Sequence, residues 1–243
     1  MGLMAFIIAL FLLPKQQKSM SIEDPSTRAQ LRAPKAAAIA GIVFSVLLII
    51  SLVLVLITHP RPLSEGYTWI SAHAETLLLA LNLVPFSGVA FLWFMGVVHD
   101  RVAERLDRFL ITVSLGSGLL FLALLFVVAA LSGSSIALYV DQDKPQLGSD
   151  FYEFGSTVVN ALMNTYILKM SGVFMFSTST LFMRTQMIAP GLAWLGYGLA
   201  LFMLLRIAEL NQLGWVSLLF PLWVLLISVY ILIDNYRGNG ERN

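Results

Sequence analysis

Six long apolar stretches separated by short polar connectors make up most of this 243-residue chain. A bilayer core of about 30 Å is crossed by roughly 20 apolar residues of helix. Six segments are long enough, at 36–58, 77–98, 109–132, 156–183, 190–208 and 214–233. Unpaired backbone groups are costly in hydrocarbon, and the alternating pattern of barrel strands is absent, so each segment is predicted to be a helix. The predicted fold class is an all-α polytopic membrane bundle.

The apolar pattern divides the chain into three regions. Residues 1–34 are predicted to be an N-terminal apolar leader or interfacial segment followed by a polar cytoplasmic tail, 35–236 a six-helix transmembrane domain, and 237–243 a short cytoplasmic tail. The apolar run from Gly2 to Leu13 would be about 18 Å long as a helix, which is too short to span. Two interpretations stay open for it, an interfacial anchor or an over-extended start with initiation at Met20.

Basic residues are distributed unevenly between the two sets of connectors. The connectors on the side of the two termini carry eleven, namely Lys15, Lys18, Arg28, Arg32, Lys35, Arg101, Arg105, Arg108, Arg184, Arg237 and Arg242. The opposite set carries three, Arg61, Lys144 and Arg206. Because cytoplasmic loops are enriched in Lys and Arg, both termini are predicted to be cytoplasmic and the protein to lie in the cytoplasmic membrane.

Composition narrows the function classes. Charged residues make up only 12% of the chain, against roughly a quarter in soluble globular proteins, so lipid is expected to cover much of the surface. The absence of cysteine excludes disulfides, thiolate metal sites and cysteine nucleophiles. The basic residues are scattered through short connectors, so no nucleic-acid surface is expected. No catalytic or metal motif stands out, and neither an enzymatic activity nor a cofactor is predicted.

One charged residue stands apart from the rest. Lys169 lies in the fourth apolar segment, fifteen residues from Arg184 and sixteen from Glu153, or about 22 to 24 Å from each along a helix. Placing a lysine at mid-bilayer costs at least about 2.5 kcal/mol, and ionisable groups within the membrane mark functional sites. No Asp or Glu lies at its depth in any predicted span, so we expect the surrounding protein to shelter the amine.

Polar side chains surround Lys169 along the same span. Asn160 and Asn164 recur near the helical period on one side, and Tyr166 lies with Lys169 on the other, so the span is predicted to sit at the centre of the bundle. In the second span, Pro85 interrupts one backbone hydrogen bond beside Asn82. The predicted substrate-binding residues are Lys169, Asn160, Asn164, Tyr166 and Asn82. A role in packing specificity, a ligand pocket and a subunit contact all remain open for Lys169.

Small residues predict where the helices pack, because they allow close backbone approach in lipid. The third span has Ser114 and Gly118 four residues apart, and the fifth has Ala189, Ala193, Gly196 and Ala200. We expect these to be contact faces between helices of the bundle, with contacts between subunits of an oligomer as the alternative.

The leading functional hypothesis is a small transporter- or channel-like bundle with a polar pocket around the fourth span. The alternative is a non-catalytic accessory subunit of a larger membrane complex. The lipid bilayer is the expected partner, with a homo-oligomer or another membrane subunit left open. The pattern does not indicate a substrate.

Overall fold

The computed structural model describes residues 25–58, 66–102, 108–140, 149–205 and 214–240. Within those ranges the chain is helical and contains no strand. Residues from Arg32 onward form one compact unit, which is the bundle described below. The apolar leader expected before residue 20 lies outside the described residues.

Each of the six predicted segments contains helix. In chain order the elements are α1 (Pro25–Ile57), α2 (Gly66–Val102), α3 (Arg108–Val140), α4 (Ser149–Ala161), a π-helical turn (Leu162–Ile167), α5 (Leu168–Thr185), α6 (Pro190–Leu205), a 3₁₀ turn (Gly214–Leu218) and α7 (Leu219–Gly240). Several helices are longer than their apolar runs. Residues 25–34, expected as a polar tail, are the first turns of α1, since Arg, Gln and Ala in this stretch are good helix formers.

Four helical stretches are long and apolar enough to cross a membrane, namely Ala36–Ile57, His73–Asp100, Arg108–Ala137 and Gly214–Asn235. These support a helical membrane bundle. The fifth apolar segment forms the shorter helix α6, of 16 residues. The fourth apolar segment is divided by the π-helical turn, and it carries Lys169.

Helices α5 and α6 form a hairpin with a tight connection. Gln186 ends α5 in the left-handed conformation, with φ of 52°. Pro190 then begins α6, where a proline is tolerated because the first turn has no intrahelical partner for its missing N–H. The hairpin therefore holds α6 directly against α5.

Five phenylalanine rings from five helices meet in the middle of the bundle. This aromatic plug consists of Phe44, Phe91, Phe121, Phe174 and Phe220, all at most 3% exposed. The ring of Phe91 is the hub, with centroids 4.6 Å from Phe44, 5.6 Å from Phe121, 5.3 Å from Phe174 and 5.8 Å from Phe220. Tilted and edge-to-face pairs of this kind add about 0.5 to 1.5 kcal/mol each beyond burial, so the plug joins α1, α2, α3, α5 and α7.

The predicted small-residue faces are confirmed as packing faces. Ser114 of α3 is fully buried and shares a hydrogen bond of 2.9 Å with Thr178 of α5. In α6, Ala193 and Ala200 are fully buried and Gly196 lies against α5 and α7. Ten of the 18 residues of α5 are buried. The C-terminal part of the fourth segment therefore lies at the centre of the bundle, as expected.

Candidate functional site

A cavity of about 540 Å³ opens in one half of the bundle. We call this the upper half, defined by the C-terminal ends of α1 and α3 and the N-terminal ends of α2 and α4. The walls are mainly Leu, Val, Ala and Met side chains of α1, α2, α3, α4 and the π-helical turn. Six polar residues also line it: Ser51, Ser132, Ser156, Asn160, Asn164 and Ser217. None of the described lining residues is charged.

The aromatic plug lies directly below this cavity. Leu48 and Leu125 line its lower part, and Phe44 and Phe121 follow one helical turn deeper on α1 and α3. On the opposite wall, Ser217 precedes Phe220 by three residues. The plug therefore lies beneath the leucine side chains at the lower end of the cavity, and none of its five rings is among the lining residues.

Two backbone irregularities border the cavity. Pro85 interrupts α2 and has no N–H to donate to the Leu81 carbonyl, and Leu81 and Val84 are both lining residues. Across the space, the π-helical turn contributes Met163 and Asn164. Irregular backbone at membrane depth is tolerated where it is buried in protein or lines a cavity, and π-helical turns occur frequently at functional sites.

The lining groups offer both hydrogen-bond donors and acceptors. Ser51 donates to the Ala80 carbonyl at 2.8 Å and Ser217 to the Gly214 carbonyl at 2.6 Å, so their oxygens remain available as acceptors. Among the described residues, neither the Asn160 nor the Asn164 amide has a hydrogen-bond partner. Each carboxamide can donate and accept, so the cavity can bind a group that does both, such as a hydroxyl.

The structure brings together only two of the five predicted site residues. Asn160 and Asn164 line the cavity, the first exposed at its edge and the second half-buried, whereas Lys169, Tyr166 and Asn82 lie outside the cavity and are exposed. Helical rotation explains the difference. Leu168 faces the cavity, and Lys169, the next residue, points about 100° away. Asn82 likewise follows the lining residue Leu81.

The expectation that the surrounding protein shelters Lys169 is therefore not met within the single chain. The side chain lies on the exposed side of α5, although α5 as a whole is deeply buried. Helical counting had placed Lys169 on the side opposite Asn160 and Asn164, and neighbouring helices were expected to cover that side. The π-helical turn interrupts the helix, and the described helices leave the side that carries Lys169 exposed.

Four cavity residues were not predicted from the sequence, namely Ser51, Ser132, Ser156 and Ser217. Each is a serine within or beside an apolar run, a weak signal because serine is common at helix contacts in membranes. Only the packing of five segments shows that they face one space. No protein family, curated protein or solved structure was found to match this chain.

Proposed function

We propose that this chain is a small transporter-like membrane protein that binds a neutral amphipathic molecule in the upper-half cavity. The observation that carries the proposal is the pair of carboxamides, Asn160 and Asn164, which have no partner among the described residues and lie in a mainly apolar wall that also carries four serines. Sites for small molecules are concave and mainly apolar, with a few polar groups that orient the ligand.

The chemistry of the lining favours a neutral ligand with a hydroxyl-bearing end. A charged group buried here would find no opposite charge among the described lining residues, and burying an unpaired charge is strongly unfavourable. The volume of about 540 Å³ is within the range of about 300 to 1,000 Å³ for drug-sized ligands. A monoacylglycerol, with two hydroxyls and one acyl chain, has this chemistry.

A carrier fits this arrangement better than an open channel. The aromatic plug lies one helical turn below the leucine side chains at the lower end of the cavity, so no open path continues from the cavity through the plug. Pro85 and the π-helical turn border the same space and provide two positions at which helices can bend. Movement at these positions would open a path past the plug.

The membrane placement is part of the proposal. We infer six crossings, with both termini on the cytoplasmic side of the cytoplasmic membrane and the cavity in the outer half. The six apolar segments support six crossings, and the eleven basic residues of one set of connectors against three of the other support the orientation. Helix α6 is about 24 Å long, which is shorter than a hydrocarbon core of about 30 Å. Residues that flank the helix would therefore have to complete the crossing.

The test is equilibrium binding of a tritiated monoacylglycerol to the purified protein in nanodiscs. Losing one hydrogen bond removes about 0.5 to 1.5 kcal/mol, so Asn160→Leu and Asn164→Leu should each weaken binding by roughly two- to tenfold. Asn82→Leu makes the same chemical change on the exposed side of α2, and binding should be unchanged. Equal affinity for all three variants and the wild type would refute the cavity as the binding site.

A second ligand checks the charge argument. A trimethylammonium amphiphile with the same acyl chain should bind at least about tenfold more weakly than the monoacylglycerol, since the described lining offers it no counter-charge. Equal or tighter binding of the cation would contradict the proposed substrate class.

A further inference from the structure

An exposed patch on the fourth segment combines a charge with apolar side chains. Tyr166, Lys169, Val173 and Phe176 follow one another at helical spacing along one side, and we call them the lysine face. Tyr166 is 54% exposed, Phe176 is 49% exposed, and the Lys169 side chain is also exposed. The Tyr166 hydroxyl and the Lys169 ammonium, three residues apart, are both hydrogen-bond donors.

The lysine face lies deep within the apolar zone. Leu168, next to Lys169, lines the cavity together with Leu48 and Leu125. These two residues are nine and twelve positions inside the ends of their spans at Ile57 and Ala137, or about 14 to 18 Å. A lysine side chain is much shorter than that, so its amine does not reach a headgroup at the membrane surface by extending outward.

The described part of α6 does not cover Lys169. Leu204, at the C-terminal end of that part, lies against Gly172, where an added Cβ would meet the leucine side chain at 3.1 Å. Lys169 is about one turn beyond that contact. Three acidic side chains are described, and they lie near the ends of the apolar segments without pairing with Lys169: Glu75, Asp100 and Asp234.

We propose that the lysine face docks a transmembrane helix of a partner protein that carries a carboxyl group near its midpoint. The carboxyl group would accept hydrogen bonds from Lys169 and Tyr166. Val173 and Phe176 would pack against apolar side chains of the partner helix. A second copy of this chain joined by the same face is disfavoured, because it would bring two Lys169 ammonium groups together in a low dielectric. The proposal concerns a surface outside the cavity and does not depend on the ligand bound there.

The test uses two synthetic leucine-based transmembrane peptides, one with a central Glu and one with Gln. The protein has no cysteine, so a dye at Asn239→Cys allows energy transfer to a labelled peptide in phosphatidylcholine vesicles. The Glu peptide should associate about tenfold more tightly than the Gln peptide, within the range measured for polar contacts between membrane helices.

Three variants locate the effect. Lys169→Met should reduce the preference for the Glu peptide to less than about twofold, whereas Lys169→Arg should retain it. Arg184→Met removes an exposed positive charge at the far end of α5 and should leave the preference unchanged. The circular dichroism spectrum of Lys169→Met should match that of the wild type, which shows that the variant is folded whether or not the cavity binds a monoacylglycerol.

Two outcomes would overturn the proposal. One is equal affinity of the wild type for the two peptides. The other is a Lys169-dependent affinity for phosphatidylglycerol that abolishes the preference for the Glu peptide, because the occupant would then be an anionic lipid.

Discussion

A methyl group added at Gly196 tests how α6 packs against α5 and α7. The Cβ of an alanine would lie 2.8 Å from Trp223 Nε1 and 2.9 Å from Trp223 Cζ2, and closer still to Ser179 Oγ. Both side chains are fully buried. Either the two side chains or the helix backbone must therefore move to admit the methyl group.

The size of the effect follows from two opposing contributions. Overpacking a filled core costs about 1 to 3 kcal/mol, and three close contacts place Gly196→Ala near the upper end. Replacing glycine by alanine within a helix stabilises the folded protein by about 1 kcal/mol. The expected net loss of stability is thus ~2 kcal/mol, which corresponds to a Tm lower by roughly 4 to 8 °C for a chain of this size.

The assay is thermal denaturation followed by circular dichroism, in one detergent and at one scan rate because unfolding of such proteins is often irreversible. Gly198→Ala is the matched control, since nothing lies within 4 Å of a Cβ at that exposed position two residues away. It should lose no stability and gain up to about 1 kcal/mol. A Tm for Gly196→Ala equal to or above that of Gly198→Ala would refute the packing of α6 described above.

Three further predictions concern the orientation, the plug and the α5–α6 turn. Ser64→Cys should react with an impermeant maleimide in intact cells and Asn239→Cys only after permeabilisation, because the positive-inside tendency places the C terminus inside; the opposite labelling would reverse the orientation. Phe91→Ala should cost about 3 to 5 kcal/mol in thermal denaturation, whereas Phe109→Ala, at a ring 71% exposed, should change stability by less than about 0.5 kcal/mol, and equal losses would disprove the plug. Gln186→Gly should raise the Tm, because glycine adopts a φ of 52° without the steric penalty of about 1 kcal/mol; a lower Tm would contradict that backbone conformation.

The helices and their contact faces could be predicted from the sequence because both depend on local patterns. The lengths of the apolar runs correctly predicted a helix in each of the six segments. Small residues such as Gly118 and Gly196 indicated the contact faces. Helix ends were less predictable, because α1 and α2 continue into polar residues that favour helix without being apolar.

The side on which each polar residue lies could be predicted only in part. Counting at 3.6 residues per turn groups Asn160 with Asn164, and both line one cavity. The same counting places Lys169 on the opposite side, but it does not anticipate the π-helical turn between them. Exposure of Lys169 also depends on where α6 ends, which hydropathy does not determine. The hydroxyl of Ser51 joins the same space only through packing of α1 on α2.

The most direct test of the proposed ligand site is to find where a bound amphipath sits. A monoacylglycerol with a diazirine in its acyl chain would be photolysed on the protein in nanodiscs, and the labelled residues identified by peptide mass spectrometry. The account predicts labelling concentrated on cavity residues such as Val55, Val159 and Met163, reduced by excess unlabelled monoacylglycerol and by Asn164→Leu. Labelling spread over lipid-facing residues such as Leu79 and Leu120, insensitive to competitor, would contradict it.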